Sequence, residues 1–248
     1  AATLFTLFFG GNDFAPQTLI DGEPAQEYLQ RHYIGAIARL AQRLKGLPAV
    51  VGYDTFNEPS AGWIGVPDVR RLHAQLRLGE MPTPYQAMLL GAGWAQSVDV
   101  WEMALTGPRV VDARLVNRDR VSAWKPGVDP IWQRHGVWEV AFGAPRVLKP
   151  DYFAQVNGRP VDFTADYMRP FLRRYVQAIH DADPNAIVFL EGEGGKPLPW
   201  DPAADGGKVV NAAHWYDGLT LIRKDFRTLF TYDQDRRKLV WLLWRVRN

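Results

Sequence analysis

Glu58 stands between Asn57 and Pro59, directly after the apolar, partly β-branched run Ala49–Phe56. A carboxyl group at the mouth of a buried strand is placed for proton transfer. Cleavage of a glycosidic bond needs two such groups flanking the scissile oxygen. One of them has to hold its proton at working pH, which requires burial or a neighbouring anion. Glu58 is expected to be that general acid/base. The Asn57 amide is suited to a sugar 2-hydroxyl, an interaction that strengthens in the transition state. Pro59 stiffens the turn that carries the carboxylate. The competing reading is a carboxylate capping a following helix, but the strand before and the loop after favour acid/base chemistry.

Two further runs end in polar residues. Ala186–Glu191 puts Glu191, with Glu193 just beyond, at a strand mouth, and Val209–Tyr216 ends in His214-Trp215-Tyr216. Taken alone, His214 reads as a structural histidine and Tyr216 as a surface aromatic. There is no cysteine, and the five histidines are scattered without an H-x-x-x-H pair, so neither a metal nor another cofactor is expected. The net charge of +2, from 29 basic and 27 acidic residues, carries no nucleic-acid footprint. Of the ten tryptophans, six lie between Trp63 and Trp138, which suits either packing under loops or a rim on which sugars stack.

These residues need elements to hold them. Residues 1–15 are apolar and aromatic up to a Gly10-Gly11-Asn12-Asp13 turn signal, and periodicity does not separate strand from helix there. A helix follows, with Pro24 in its first turn, the stripe Leu29, Tyr33, Ile37, Leu40 and Leu44, and a stop at Gly46 and Pro48. The stretch of about 65–162 lacks sustained periodicity and reads as a loop-rich insertion, with a short helix within Met81–Leu90. Met168, Phe171, Leu172, Tyr175 and Ile179 form the face of another helix, with Pro170 in its first turn or at a kink. Helix–strand–insertion–helix–strand–strand is an α/β order with parallel strands, and in barrels of this kind sites lie at the C-terminal strand ends.

The segment Val51-Gly52-Tyr53-Asp54-Thr55-Phe56-Asn57-Glu58-Pro59 resembles the acid/base segment of glycoside hydrolase family five, a retaining β-glycosidase family. His214-Trp215-Tyr216-Asp217 resembles its H-x-Y segment. Thr3–Gly11, Leu76-Arg77-Leu78-Gly79 and Pro82-Thr83-Pro84 are similar to the branch acting on glucosylceramides and steryl glucosides. The resemblance implies a (β/α)8 barrel with Glu58 as acid/base and Asn57 as 2-hydroxyl ligand. It implies that Glu191, His214, Trp215 and Tyr216 are substrate-binding, with Tyr216 able to hydrogen-bond the nucleophile. The sequence departs from the family where a glutamate nucleophile is due. No glutamate follows Glu193, and the late carboxylates are Asp201, Asp205, Asp217, Asp225, Asp233 and Asp235.

The expectation is therefore a single, incomplete catalytic domain over 1–248, an α/β chain of TIM-barrel type, hydrolysing a β-glucoside with a lipid or sterol aglycone. A cellulase-type endo-β-glucanase, or a fragment that only binds carbohydrate or assembles with a partner, are the alternatives. Exposed sheet edges and the apolar segments Leu4–Phe9 and Leu239–Trp244 are expected to promote self-association. No segment reaches the ~20 apolar residues of a transmembrane helix. The opening run has no basic flank, so it is not read as a signal peptide. The chain begins at Ala1, so either a leader has been removed or the natural N-terminus lies upstream. The compartment stays open.

Overall fold

In the computed structural model, the chain is described except for residues 75–76, 105–106, 193–197, 215, 217–219, 222–223, 225–229, 234–237 and 242–248. Helix α1 (Ala2–Phe14) leads through β1 (Leu19–Ile20) and β2 (Glu23–Pro24) into α2 (Ala25–Leu44) and β3 (Gly52–Asp54). Beyond Glu58 come β4 (Gly79–Glu80), α3 (Pro84–Gly91), β5 (Gln96–Ala104), β6 (Gly107–Val116) and the one-turn α4 (Ile131–Arg134). Strands β7 (Trp138–Ala141), β8 (Ala144–Val147), β9 (Gln155–Val156) and β10 (Arg159–Pro160) follow. A π-helical turn (Phe163–Met168) runs directly into α5 (Arg169–Ala182), then β11 (Ile187–Leu190), α6 (Pro202–Asp205), β12 (Val209–Asn211), β13 (Phe230–Asp233) and β14 (Lys238–Trp241).

The three apolar runs before Glu58, Glu191 and His214 form one parallel sheet in the order β12-β11-β3. Each is shorter than its apolar run. Pairing past β3 continues only through the Thr55 amide to the Phe189 carbonyl at 3.0 Å, and the chain bends at Asn57 and Glu58. Among the described residues the sheet does not close into a barrel.

Helix α1 packs on α2, α2 on α5, and α5 on the central strand β11. Residues 1–15, which the pattern left undecided, are helical because Leu7, Phe8 and Phe9 all find partners in this core. Their burial also corrects the expectation that Leu4–Phe9 is a free contact segment; Leu4 stays exposed, and Leu239–Trp244 lies partly outside the described residues. Buried Gln30 crosses the helix layer, donating to the Phe8 carbonyl at 2.7 Å and accepting from Arg174 at 2.8 Å. Pro170 is the second residue of α5, just after the π-helical turn Phe163–Met168 gives way to the α-helix.

The stretch 65–162 is not a bare loop. It holds the antiparallel sheet β4-β5-β6 and the hairpin β7-β8. Almost every residue of β6 is exposed, so no buried face imposed an alternating pattern that could be read. The short helix expected within Met81–Leu90 is α3, fixed by a capping box between Thr83 and Gln86.

Candidate active site

Because β3, β11 and β12 are parallel and in register, the residues that leave them emerge at one edge, the C-terminal end of the sheet. Two phenols from the helix layer hold the first of these exits. Tyr175 of α5 donates to the Asp54 carbonyl at 2.7 Å, and Tyr33 of α2 donates to the Thr55 carbonyl at 2.9 Å. The Phe56 ring is set among Phe5, Phe8, Phe9, Tyr33 and Phe171, with centroids 5.0 to 6.5 Å away. The chain thus enters Asn57 and Glu58 from a rigid aromatic anchor. Glu58 itself takes φ +47°, the left-handed region that side chains rarely adopt, and buried Pro59 follows. No helix starts there, so Glu58 is not a helix cap.

The Glu58 side chain is 47% exposed and receives two donors from the segment after β12. Tyr216 donates its phenol hydrogen to Oε1. His214 Nδ1 lies 2.9 Å from the same oxygen, and since a carboxylate only accepts, Nδ1 carries the hydrogen. On the other side of the ring, His214 Nε2 is 2.6 Å from Glu191 Oε1. That contact has ion-pair distance but not hydrogen-bond alignment, so among the described residues Oε1 of Glu191 takes no hydrogen bond. Glu191 is 1% exposed, and its backbone N–H is tied to the Thr55 hydroxyl at 3.0 Å.

The electrostatics follow from this placement. The Tyr216 and then the His214 hydrogen bonds hold Glu58 below the usual carboxylate range. Burial, with the Asp54 anion behind it, pushes Glu191 up, and the attraction of His214 does not offset this. His214 is raised, first by its hydrogen bond to Glu58 and also by the charges of Glu191, Glu58 and Asp54. Tyr216 is raised because ionising it would lose the bond to Glu58 and set two anions together.

Four of the expected site residues, Glu58, Glu191, His214 and Tyr216, are therefore in one cluster, and Asn57 is exposed beside them. Trp215 and Glu193 lie outside the described residues. Two details differ from expectation. Glu58 is in a half-exposed position that favours its anion, because two donors point at it. Tyr216 is bonded to Glu58, not to a second catalytic carboxylate. Sequence reasoning missed Asp54, Thr55, Tyr33 and Tyr175. Asp54 had a readable signal, a charge inside an apolar strand. The helix tyrosines had none, since their partners are main-chain carbonyls distant in sequence. Among the described residues, no group of three or more His, Asp or Glu is placed to hold a metal ion, and no helix is long and apolar enough to cross a membrane.

No family model matches the chain. It is 34% identical to a glucosylceramidase of Aspergillus fumigatus over 93% of its own length and 34% of the relative's. An ergosteryl-beta-glucosidase of Saccharomyces cerevisiae is 31% identical over 90% of this chain and 33% of that protein. The crystal structure of Cryptococcus neoformans sterylglucosidase 1 superposes with a TM-score of 0.85 at 31% identity, covering 93% of this chain and 36% of that one. The chain spans about a third of the length of the curated relatives it matches.

Proposed function

We propose that this chain carries the acid/base half of a retaining β-glucosidase site of glycoside hydrolase family five, within a (β/α)8-type catalytic domain, for β-glucosides with a lipid or sterol aglycone. The observation that carries the reading is the convergence of Glu58, His214 and Tyr216 at the C-terminal edge of a parallel sheet. Relatives named for glucosylceramide and ergosteryl glucoside support the substrate class.

In this reading Glu58 donates its proton to the glycosidic oxygen as the bond to the anomeric carbon breaks and a second carboxylate of the whole catalytic domain, not assigned in this chain, bonds to that carbon; Glu58 then takes a proton from the water that displaces that carboxylate and releases the sugar. The open carboxylate favours the second step as it stands. The first needs Glu58 to gain a proton, which a bound aglycone promotes by covering the group and excluding water. Asn57 is the ligand of the sugar 2-hydroxyl. The test is hydrolysis of glucosylceramide and of an activated aryl β-glucoside by this chain and by Glu58→Gln. The expected loss is about 10²–10⁴-fold on the lipid substrate and smaller on the aryl glucoside, whose leaving group needs little acid assistance. Equal lipid-substrate rates for the two proteins would sink the assignment.

A second reading, a unit that binds carbohydrate or assembles with a partner without turnover, draws on one observation. The carboxylate that shares His214 with Glu58 is Glu191, and it is buried, so it is not presented to a sugar as a nucleophile. Sugar binding with no hydrolysis of either substrate would select this reading.

A further inference from the structure

Glu191 has the geometry of a group that acts through a neighbour. It directly follows β11, the central strand, which has sheet partners on both sides. Its amide is fixed by Thr55, its carboxylate is 1% exposed, and Oε1 lacks a hydrogen bond. His214 Nε2 lies 2.6 Å from that oxygen. We propose that Glu191 is the positioning residue of this site, its buried carboxylate holding the His214 ring so that Nδ1–H is presented to Glu58. The inference rests on the reading of Glu58 as the acid/base, and it gives Glu191 a role other than contact with substrate.

The physical case is one of alternatives. An imidazole on a half-exposed strand exit can rotate and can carry its hydrogen on either nitrogen. Here both nitrogens face carboxylates, Nδ1 toward Glu58 and Nε2 toward Glu191, and the ring satisfies both only as the doubly protonated cation. Asp54 adds a further anion behind Glu191, and Tyr216 stands beside Nδ1 at 3.4 Å. The Glu58 main chain supplies the Glu191 carboxylate with one hydrogen bond, which leaves its unbonded Oε1 to be compensated by a neighbouring cation. Among the described residues, His214 is the basic side chain in contact with Glu191. The arrangement locks the ring from below while leaving its other side, and Glu58, open to solvent.

The His214 imidazole can be followed directly by long-range proton–nitrogen spectra across the range in which histidine titrates. In the unaltered chain both ring nitrogens should be protonated at neutral pH. Glu191→Gln should lower the proton affinity of His214 by about tenfold or more, the scale of a lost charge at contact distance. Glu191→Asp, which restores the charge, should recover part of it. Glu58→Gln removes the exposed partner and should leave the affinity of His214 above that of an ordinary histidine, because Glu191 remains. An unchanged titration in Glu191→Gln overturns the proposal. So does a return to ordinary affinity in Glu58→Gln, and that outcome can be read even if Glu191→Gln does not fold, since Glu58 lies at the surface. None of these signals needs turnover. A chain that hydrolyses nothing fails the functional reading without touching this one, and an active chain with an unmoved His214 fails only this one.

Discussion

Tyr175, fully buried on α5, donates its hydroxyl hydrogen to the main-chain carbonyl of Asp54 at 2.7 Å, and so fixes the end of β3 four residues before Glu58. Tyr175→Phe keeps the ring packing but leaves that carbonyl without its donor. The expected cost is about 1–3 kcal/mol, read as a lower urea midpoint at an unchanged slope. If Glu58 is the acid/base, the same variant should lose activity by more than its unfolded fraction explains. A midpoint equal to that of the unaltered chain would show that the bond does not hold the strand end.

The aromatic anchor beneath Phe56 depends on Phe171, which is 1% exposed and lies against the rings of Phe8, Phe9, Tyr33, Phe56 and Tyr175. Phe171→Ala should cost roughly 3–5 kcal/mol, combining lost transfer energy with the cavity left behind. Thermal or urea unfolding measures it. A loss below about 1 kcal/mol would mean that neighbouring rings collapse into the space.

Tyr216 is the largest reason that Glu58 sits below the usual carboxylate range. Tyr216→Phe should let the Glu58 pKa rise toward the ordinary glutamate value of ~4.3. In a pH–rate profile on the lipid substrate, whose cleavage needs protonated Glu58, the basic limb should move to higher pH. In stability, a lowered carboxylate stabilises the fold above its unfolded pKa and loses that contribution as pH falls through the folded value, so the variant should lack the contribution at neutral pH and lose less stability on acidification. A basic limb that stays in place would show that Tyr216 does not govern Glu58.

A second pH effect comes from Asp205, whose fully buried side chain is paired with Arg169 and Arg173 and also accepts from the Asp201 amide. The Arg169 hydrogen bond is the main cause that lowers it to about 2. Its folded pKa lies below its unfolded value of ~3.9, so its stabilising contribution is complete above that value and is lost as pH falls toward 2. Unfolding midpoints of the unaltered chain and Asp205→Asn should therefore differ at neutral pH and converge in acid, with the variant melting several degrees lower at neutrality. A constant difference across the range would refute the linkage.

Strands β3 and β12 are the outer strands of the parallel sheet among the described residues. Unpaired strand edges recruit further strands, and β12 presents the exposed Val210. The chain is expected to self-associate through these edges rather than through Leu7–Phe9, which its own core covers. Sedimentation over a dilution series is the measurement, and a compact monomer at every concentration would exclude it.

The sequence by itself determined the local elements with a strong period or punctuation. Helices α2 and α5 follow from their apolar stripes and from Pro24 and Pro170 at their starts. The three parallel strands follow from short apolar runs ending in Asn57-Glu58, Glu191 and His214. It also brought Glu58 and Glu191 forward as carboxylates at strand mouths, while His214 and Tyr216 became site candidates only through the resemblance of their segment to a known family. Only the tertiary structure decided how they stand toward one another. That Glu191 is buried beneath His214 while Glu58 is open depends on which strand is central and on how far each ladder runs, and neither is a local property. The helical state of Ala2–Phe14 was undecidable for the same reason: an apolar run buries equally well in either form until its neighbours are in place.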